Sequence, residues 1–143
     1  MKLIIFDLDG VLVEAKQIHY EALNQALGEQ YAIEWNEHLS IYDGLKTNQK
    51  LEMLTERKGL PTSHHNEIWN KKQQLTLEAL SNLKPNPTIK KTISRLSKEG
   101  YKIACCSNSI RKSVLTMLSK LDLIEHMDLI LSNEDVKNSK PEP

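Results

Sequence analysis

Residues 2–14, KLIIFDLDGVLVE, decide the fold of this chain. They open with a short apolar run containing two adjacent isoleucines, which is typical of a buried strand in a parallel sheet. Asp7 and Asp9 follow directly, and then Gly10, which lets the chain turn sharply. An uncompensated carboxylate is costly to bury. Two carboxylates at the end of an apolar strand therefore indicate a cation close by.

The composition is that of an ordinary globular protein. Of the 143 residues, 39% are hydrophobic and 27% are charged. The 19 basic and 19 acidic side chains cancel, which argues against partners such as nucleic acid or an acidic membrane surface. We find no apolar run of the roughly 20 residues that a membrane span needs, and no signal-peptide layout. Cys105 and Cys106 lie in an apolar run and are expected as reduced thiols, which indicates a cytoplasmic protein.

Strand and helix patterns alternate along the chain. Strand patterns occupy residues 2–7, 101–106 and 127–132. Residues 16–84 instead show the period of about four helices, and Asn86 followed by Pro87 predicts the start of another helix. This order predicts an α/β protein whose parallel sheet is interrupted by a helical insertion after its first strand.

Polar residues follow each predicted strand, where ligands bind in such sheets. They are Asp7 and Asp9, then Ser107 and Asn108, then Lys140. Two carboxylates can share one hard cation such as Mg²⁺, which commonly also binds a substrate phosphate. Asp7 could then attack phosphorus, while Asp9 could act as a general acid.

The other strand-end residues suit a phosphate group, although each has a plainer interpretation. Ser107 could donate to a phosphate oxygen beside the start of a helix, with Arg111 adding positive charge. Lys140 could neutralise the charge that develops during phosphoryl transfer. Alternatively, Asp-x-Asp-Gly forms a simple turn, Ser109 caps the helix, and Lys140 is a solvated surface charge.

Three segments, FDLDGVLVE, ACCSNS and NSKPEP, occur in this order around a helical block. In this they resemble the haloacid dehalogenase superfamily, in particular the branch with a four-helix cap that includes β-phosphoglucomutase and phosphoglycolate phosphatase. The resemblance implies a Rossmann-like parallel sheet core formed by residues 1–15 and 85–143. Residues 16–84 would form the cap. It also implies a Mg²⁺-dependent phosphatase that acts on a small phosphorylated metabolite.

The resemblance also assigns roles to the strand-end residues. Asp7 would be the nucleophile that forms an aspartyl-phosphate, and Asp9 would be the acid and base. Ser107 would bind the phosphate, and Lys140 would brace the nucleophile and the phosphate. Mg²⁺ would bind Asp7 and the main-chain carbonyl of Asp9.

Further substrate contacts are expected from three other residues. Asn108 directly follows the phosphate-binding serine. His19 matches a cap histidine that helps to position substrate in the mutase-like branch, although a hinge or surface histidine is an equal alternative. Lys46 falls in the cap loop that contacts substrate, where it could meet a second anionic group.

The sequence departs from the family pattern after Lys140. The family completes its metal site with an acid that follows a further strand, and this sequence stops three residues after the lysine. We therefore expect a C-terminally truncated core, with weaker Mg²⁺ binding and an open sheet edge that would allow a homodimer. Two alternatives stay open, a phosphosugar mutase of the β-phosphoglucomutase type and a catalytically inert fragment.

Overall fold

The computed structural model describes residues 1–142. Its helices are α1 (Lys16–Leu27), α2 (Trp35–Glu37), α3 (Thr47–Lys58), α4 (His65–Leu80), α5 (Pro87–Lys98) and α6 (Arg111–Lys120). Its strands are β1 (Leu3–Phe6), β2 (Lys102–Cys106) and β3 (Leu129–Leu131). Short 3₁₀ turns lie at Glu29–Tyr31, Thr62–His64 and Ile124–His126, and a π-helical turn lies at His38–Tyr42. Among these helices, none is both long and apolar enough to cross a bilayer.

The three strands form one parallel sheet in the order β1-β2-β3. Ile5 pairs with Ala104, and Ala104 pairs with Leu129 on the next strand. Because α5 precedes β2 and α6 connects β2 to β3, strands and helices alternate as the sequence predicts. The α/β class is therefore confirmed, and the carboxyl ends of all three strands lie along one edge of the sheet.

The two faces of the sheet are buried to different extents. Paired residues of a parallel ladder share a face. On one face, Ile103 and Cys105 are fully buried. On the other face, Leu3, Ile5 and Leu129 are each at least half exposed. Right-handed connections that run in one direction across a sheet place their helices on one face. The exposed face is the one on which these connections place no helix.

The start of α5 follows directly from its sequence. The side-chain Oδ1 of Asn86 accepts hydrogen bonds from the N–H groups of Thr88 (3.0 Å) and Ile89 (3.2 Å), which lack partners within the helix. Pro87, which has no N–H to satisfy, occupies the first helical position. The predicted N-terminus of this helix is confirmed.

The chain divides into two compact units. The first contains Met1–Glu14 and Leu80–Pro143, and the second contains Ala15–Ala79. The boundaries expected from the sequence lay after residues 15 and 84. The second unit is helical, and its core is a cluster of buried side chains: Leu23, Leu27, Ile33, Tyr42, Leu51, Leu54, Leu60 and Ile68.

Candidate active site

Asp7 directly follows β1, and a tight turn comes after it. The Leu8 carbonyl accepts a hydrogen bond from the N–H of Val13 (3.2 Å), and the Gly10 N–H donates to the Val13 carbonyl (2.7 Å). Gly10 has a φ of 77°, a conformation in which a side chain is strained. The turn that contains Asp9 therefore favours glycine at position 10, because its backbone adopts a positive φ there.

The Asp7 carboxylate is paired with Lys140. Its Oδ1 accepts hydrogen bonds from the Leu8 N–H (2.8 Å) and from Lys140 Nζ (2.8 Å). Oδ2 has no hydrogen-bond partner among residues 1–142. The side chains of Asp7 and Lys140 are 50% and 39% exposed, and an ion pair this exposed adds only about 0–1 kcal/mol to stability. The pair therefore contributes little to the stability of the fold, and it leaves one carboxylate oxygen open to a ligand.

Lys140 is attached to the end of β2 as well as to Asp7. Its Nζ donates to the Cys106 carbonyl over 2.9 Å. Its main-chain groups bond the side chain of Asn108, with distances of 3.0 and 3.1 Å. A residue from the loop after β3 is thus connected to groups that follow both of the other strands.

Ser107 lies at the end of β2 and is buried. Its N–H donates to the Leu131 carbonyl (2.9 Å), which continues the pairing of β2 with β3. Its Oγ accepts a hydrogen bond from the Ser109 N–H (3.1 Å). Together with Asn108 and Lys140, Ser107 lines a cavity of about 410 Å³. The hydroxyl predicted to bind phosphate therefore lies in the same cavity wall as the lysine.

The start of α6 differs from the sequence prediction. Ile110 occupies the N-cap position, so the prediction that Ser109 caps this helix is wrong. Glu134 instead reaches the helix from the loop after β3, and its Oε2 accepts the Arg111 N–H over 2.6 Å. A carboxylate is favoured at this position because the first N–H groups of a helix point outward and carry partial positive charge.

Arg111 is also engaged by the loop after β3, rather than pointing to a phosphate as the sequence analysis expected. Its Nη1 donates to Asp135 Oδ2 over 2.8 Å. The same oxygen accepts hydrogen bonds from the Ser132 N–H and hydroxyl, both at 2.7 Å. These bonds hold the pKa of the Asp135 carboxyl below its usual range, with the Ser132 hydroxyl as the largest cause. The sequence signal for this turn was a serine followed three residues later by an acid.

The donors expected for a metal are the Asp7 carboxylate and the main-chain carbonyl of Asp9. Within residues 1–142, no group of three or more His, Cys, Asp and Glu side chains is arranged to hold a metal ion. The Asp7 carboxylate and the Asp9 carbonyl still supply hard oxygen donors at the end of β1. One or two carboxylates, completed by waters and by a substrate phosphate, are the usual protein ligands of Mg²⁺. The residues present fit a magnesium ion of that kind.

His19 and Lys46 lie in the second unit. His19 is a buried residue of α1, and its Nδ1 lies 3.1 Å from Lys72 Nζ. Lys46 precedes α3, and its N–H donates to Gln49 Oε1 over 3.0 Å. The structure thus brings Asp7, Ser107, Asn108 and Lys140 together in the first unit, and the substrate contacts of His19 and Lys46 stay predictions.

The fold and the site define an α/β protein with a strand-end carboxylate next to a lysine from the loop after the third strand. The sequence matches the family of haloacid dehalogenase-like hydrolases over residues 4–143, and the chain belongs to this family.

Relatives of this chain include proteins named as phosphatases. The chain is 28% identical to a phosphorylated carbohydrates phosphatase of Thermotoga maritima, covering 100% of this chain and 66% of the relative. It is 27% identical to a phosphoglycolate phosphatase of Photorhabdus laumondii, covering 100% of this chain and 63% of the relative. The chain thus spans slightly less than two thirds of the length of these proteins.

Solved structures show the same fold. The β-phosphoglucomutase of Clostridium difficile superimposes with a TM-score of 0.84 at 22% identity, over 99% of this chain and 66% of that one. The resemblance noted in the sequence analysis is therefore confirmed at the level of family and fold.

Proposed function

We propose that this chain carries the phosphoryl-transfer site of a phosphatase that hydrolyses a small phosphomonoester through an aspartyl-phosphate. The observation that carries the proposal is the asymmetric Asp7 carboxylate. Its Oδ1 is held by the Leu8 N–H and by the Lys140 ammonium, and both distances are 2.8 Å. A carboxylate fixed through one oxygen can present the other oxygen to phosphorus in a single orientation.

The reaction proceeds in two steps on this carboxylate. Asp7 Oδ2 attacks phosphorus and the bond to the leaving alcohol breaks, while Asp9 gives that alcohol a proton. Asp9 then takes a proton from water, and the resulting hydroxide attacks the aspartyl-phosphate. Inorganic phosphate leaves and the Asp7 carboxylate is restored. The same two residues thus serve both steps, with Asp9 acting first as an acid and then as a base.

Lys140 and Ser107 stabilise the charge on the transferring group. The Lys140 ammonium lies against Asp7 and offsets the repulsion between a carboxylate and an incoming phosphate dianion. Ser107 directly follows Cys106, whose carbonyl accepts from Lys140 Nζ, and in our proposal the Ser107 hydroxyl donates to a phosphate oxygen. These contacts favour phosphoryl groups over neutral esters.

Phosphatases of this family generally use a metal ion. In our proposal, Asp7 and the main-chain carbonyl of Asp9 hold Mg²⁺. When bound, the ion supplies positive charge that draws electron density from the phosphoryl oxygens. Because the Asp7 carboxylate and the Asp9 carbonyl are the donors that residues 1–142 place at the end of β1, we expect weak Mg²⁺ binding.

The names of the relatives support a small phosphorylated metabolite as the substrate class. One relative is named for phosphorylated carbohydrates and another for phosphoglycolate. We propose that His19 and Lys46 contribute substrate contacts from the helical unit, as the resemblance implies.

The experiment is a measurement of phosphate release from p-nitrophenyl phosphate, with Mg²⁺ and with excess EDTA. We expect metal-dependent turnover that falls at least about 10³-fold in Asp7→Asn, because an amide cannot act as the nucleophile. The variant keeps the size of the side chain and an oxygen acceptor for Lys140. Circular dichroism checks that both proteins are folded.

Three outcomes are distinct. Turnover that survives Asp7→Asn would overturn the assignment of the nucleophile. Absence of turnover in a folded wild-type chain would favour the inert fragment. Conversion of a sugar 1-phosphate to the 6-phosphate, with little phosphate released, would favour the mutase.

A further inference from the structure

Lys140 lies outside the helices and strands of the fold, in the loop that follows β3. Its ammonium must nevertheless stay within hydrogen-bond distance of Asp7, a residue 133 positions earlier in the chain. A flexible lysine side chain on an unattached loop would visit many conformations. Something must therefore fix the main chain of this residue.

The side chain of Asn108 bonds both main-chain groups of Lys140. Its Nδ2 donates to the Lys140 carbonyl over 3.1 Å, and its Oδ1 accepts the Lys140 N–H over 3.0 Å. This two-bond contact requires a donor and an acceptor side by side, which a carboxamide provides. Aspartate offers only acceptors, and leucine offers neither group. The residue type at position 108 thus matches the contact that it makes.

The far end of Lys140 is held from the same strand. Nζ donates to the carbonyl of Cys106, the last residue of β2, over 2.9 Å. Asn108 follows that strand by two residues. The main chain and the ammonium of Lys140 are therefore both attached to the carboxyl end of β2. The ammonium also donates to Asp7.

We propose that Asn108 is a positioning residue for Lys140, and not primarily the substrate-binding residue that the sequence suggested. It fixes the main chain of Lys140, so that the ammonium lies at Asp7 Oδ1 before any substrate binds. The catalytic part of this inference rests on the proposed phosphatase function. The structural part, in which Asn108 orders Lys140, does not depend on it.

The variants Asn108→Asp and Asn108→Leu test the catalytic part. In the phosphatase assay we expect kcat to fall by about 10²-fold, because small displacements of a charge-stabilising group cost this much. We expect KM to change by less than about threefold, since substrate contacts are kept. Asn108→Asp keeps the acceptor for the Lys140 N–H but places an oxygen against the Lys140 carbonyl, so its shape is preserved while the two-bond contact is lost.

Amide hydrogen exchange measured by NMR tests the structural part without activity. In both variants the Lys140 amide should exchange at least about tenfold faster, whereas the amides of β2 should be unchanged. Asn133→Leu is the matched control. Asn133 lies in the same loop and bonds Ser109 through its main-chain N–H, so its side chain can be replaced while that bond is kept.

The two readouts separate the possible failures. Unchanged exchange of the Lys140 amide in Asn108→Leu would overturn the positioning role, whatever the activity. A rise in KM at constant kcat would also overturn it, and would return Asn108 to substrate binding. A wild-type chain without phosphatase activity would remove the proposed function, while the exchange data would still decide whether Asn108 orders Lys140.

Discussion

The position of Asp7 directly after β1 brings two hydrogen-bond donors to its carboxylate. The adjacent N–H of Leu8 and the distant ammonium of Lys140 both bond the same oxygen. The strand-end aspartates were predictable, because an apolar strand followed by Asp-x-Asp-Gly places charge where parallel sheets bind ligands. The place of Lys140 beside Asp7 was expected from the resemblance to the family. The contact between Asn108 and Lys140 was not predictable. It joins residues 32 positions apart through main-chain groups, which no spacing rule encodes.

The adjacent cysteines give a prediction at the same scale. Cys105 is buried, and burial raises the pKa of its thiol to about 12, with smaller contributions from the charges of Asp7 and Cys106. At pH 8 only about 10⁻⁴ of such a thiol is ionised, and the thiolate is the reactive form. In a Cys106→Ser variant we expect Cys105 to react with iodoacetamide at least about 10²-fold more slowly in the folded protein than in urea.

The companion variant Cys105→Ser leaves Cys106 as its only thiol. Its labelling controls for the activity of the iodoacetamide and for the effect of urea on the labelling rate. Rapid labelling of folded Cys106→Ser would show that Cys105 is accessible, contrary to its burial in the structure.

Among the elements, α6 is notable because its first turn is held by a different loop. Glu134 accepts the first helical N–H, and Asp135 holds the Arg111 guanidinium. The helix itself was predictable from its apolar period, but its cap was not, because the capping carboxylate lies 23 positions after Arg111. Local capping rules consider the residues just before a helix, where Ser109 was a reasonable but wrong choice.

The Asp135 contacts predict a dependence of stability on pH. The pKa of Asp135 is lower in the folded protein than its ordinary value of 3.8, so folding favours the ionised form. The contribution is fully present above pH 3.8 and is lost as the pH falls through the lower, folded-state pKa. We expect the wild type to have a higher Tm than Asp135→Asn at pH 7, and we expect this difference to shrink below pH 3.8.

Thermal unfolding followed by circular dichroism at several pH values measures this difference. Glu125→Gln removes an exposed acid in the same unit and should show no comparable trend. A difference between wild type and Asp135→Asn that stays constant from neutral to acidic pH would contradict the assigned role of the carboxylate.

At the scale of the molecule, the sheet buries one face more completely than the other. Ile103 is fully buried, whereas Ile5 on the opposite face is 63% exposed. The sequence indicated a strand buried on both faces, since periodicity alone does not show whether a neighbouring layer is present. The homodimer expected from an open sheet edge remains a proposal, to which this exposed face is relevant.

Matched substitutions on the two faces test the difference. Ile103→Ala should lower the free energy of unfolding by about 2–5 kcal/mol, because it leaves a cavity in a packed core. Ile5→Ala should cost about 1 kcal/mol or less, because most of the side chain is already in water. Urea denaturation measures both values.

Sedimentation equilibrium of the same two proteins addresses association. If copies of the chain pair through the exposed face, Ile5→Ala shifts the equilibrium toward monomer. Equal losses of stability in the two variants, with no change in association, would contradict the exposure of Ile5.

The separation between Asp7 and Lys140 has a consequence for how the protein is made. Asp7 leaves the ribosome first, and the lysine that pairs with it is translated 133 residues later. Loop closure over such a distance is slow compared with local helix formation. A nascent chain therefore carries the Asp7 carboxylate without its ion-pair partner until Lys140 has been synthesised. The contact between Asp7 and Lys140 thus forms only after the segments that contain β2 and β3 have been synthesised.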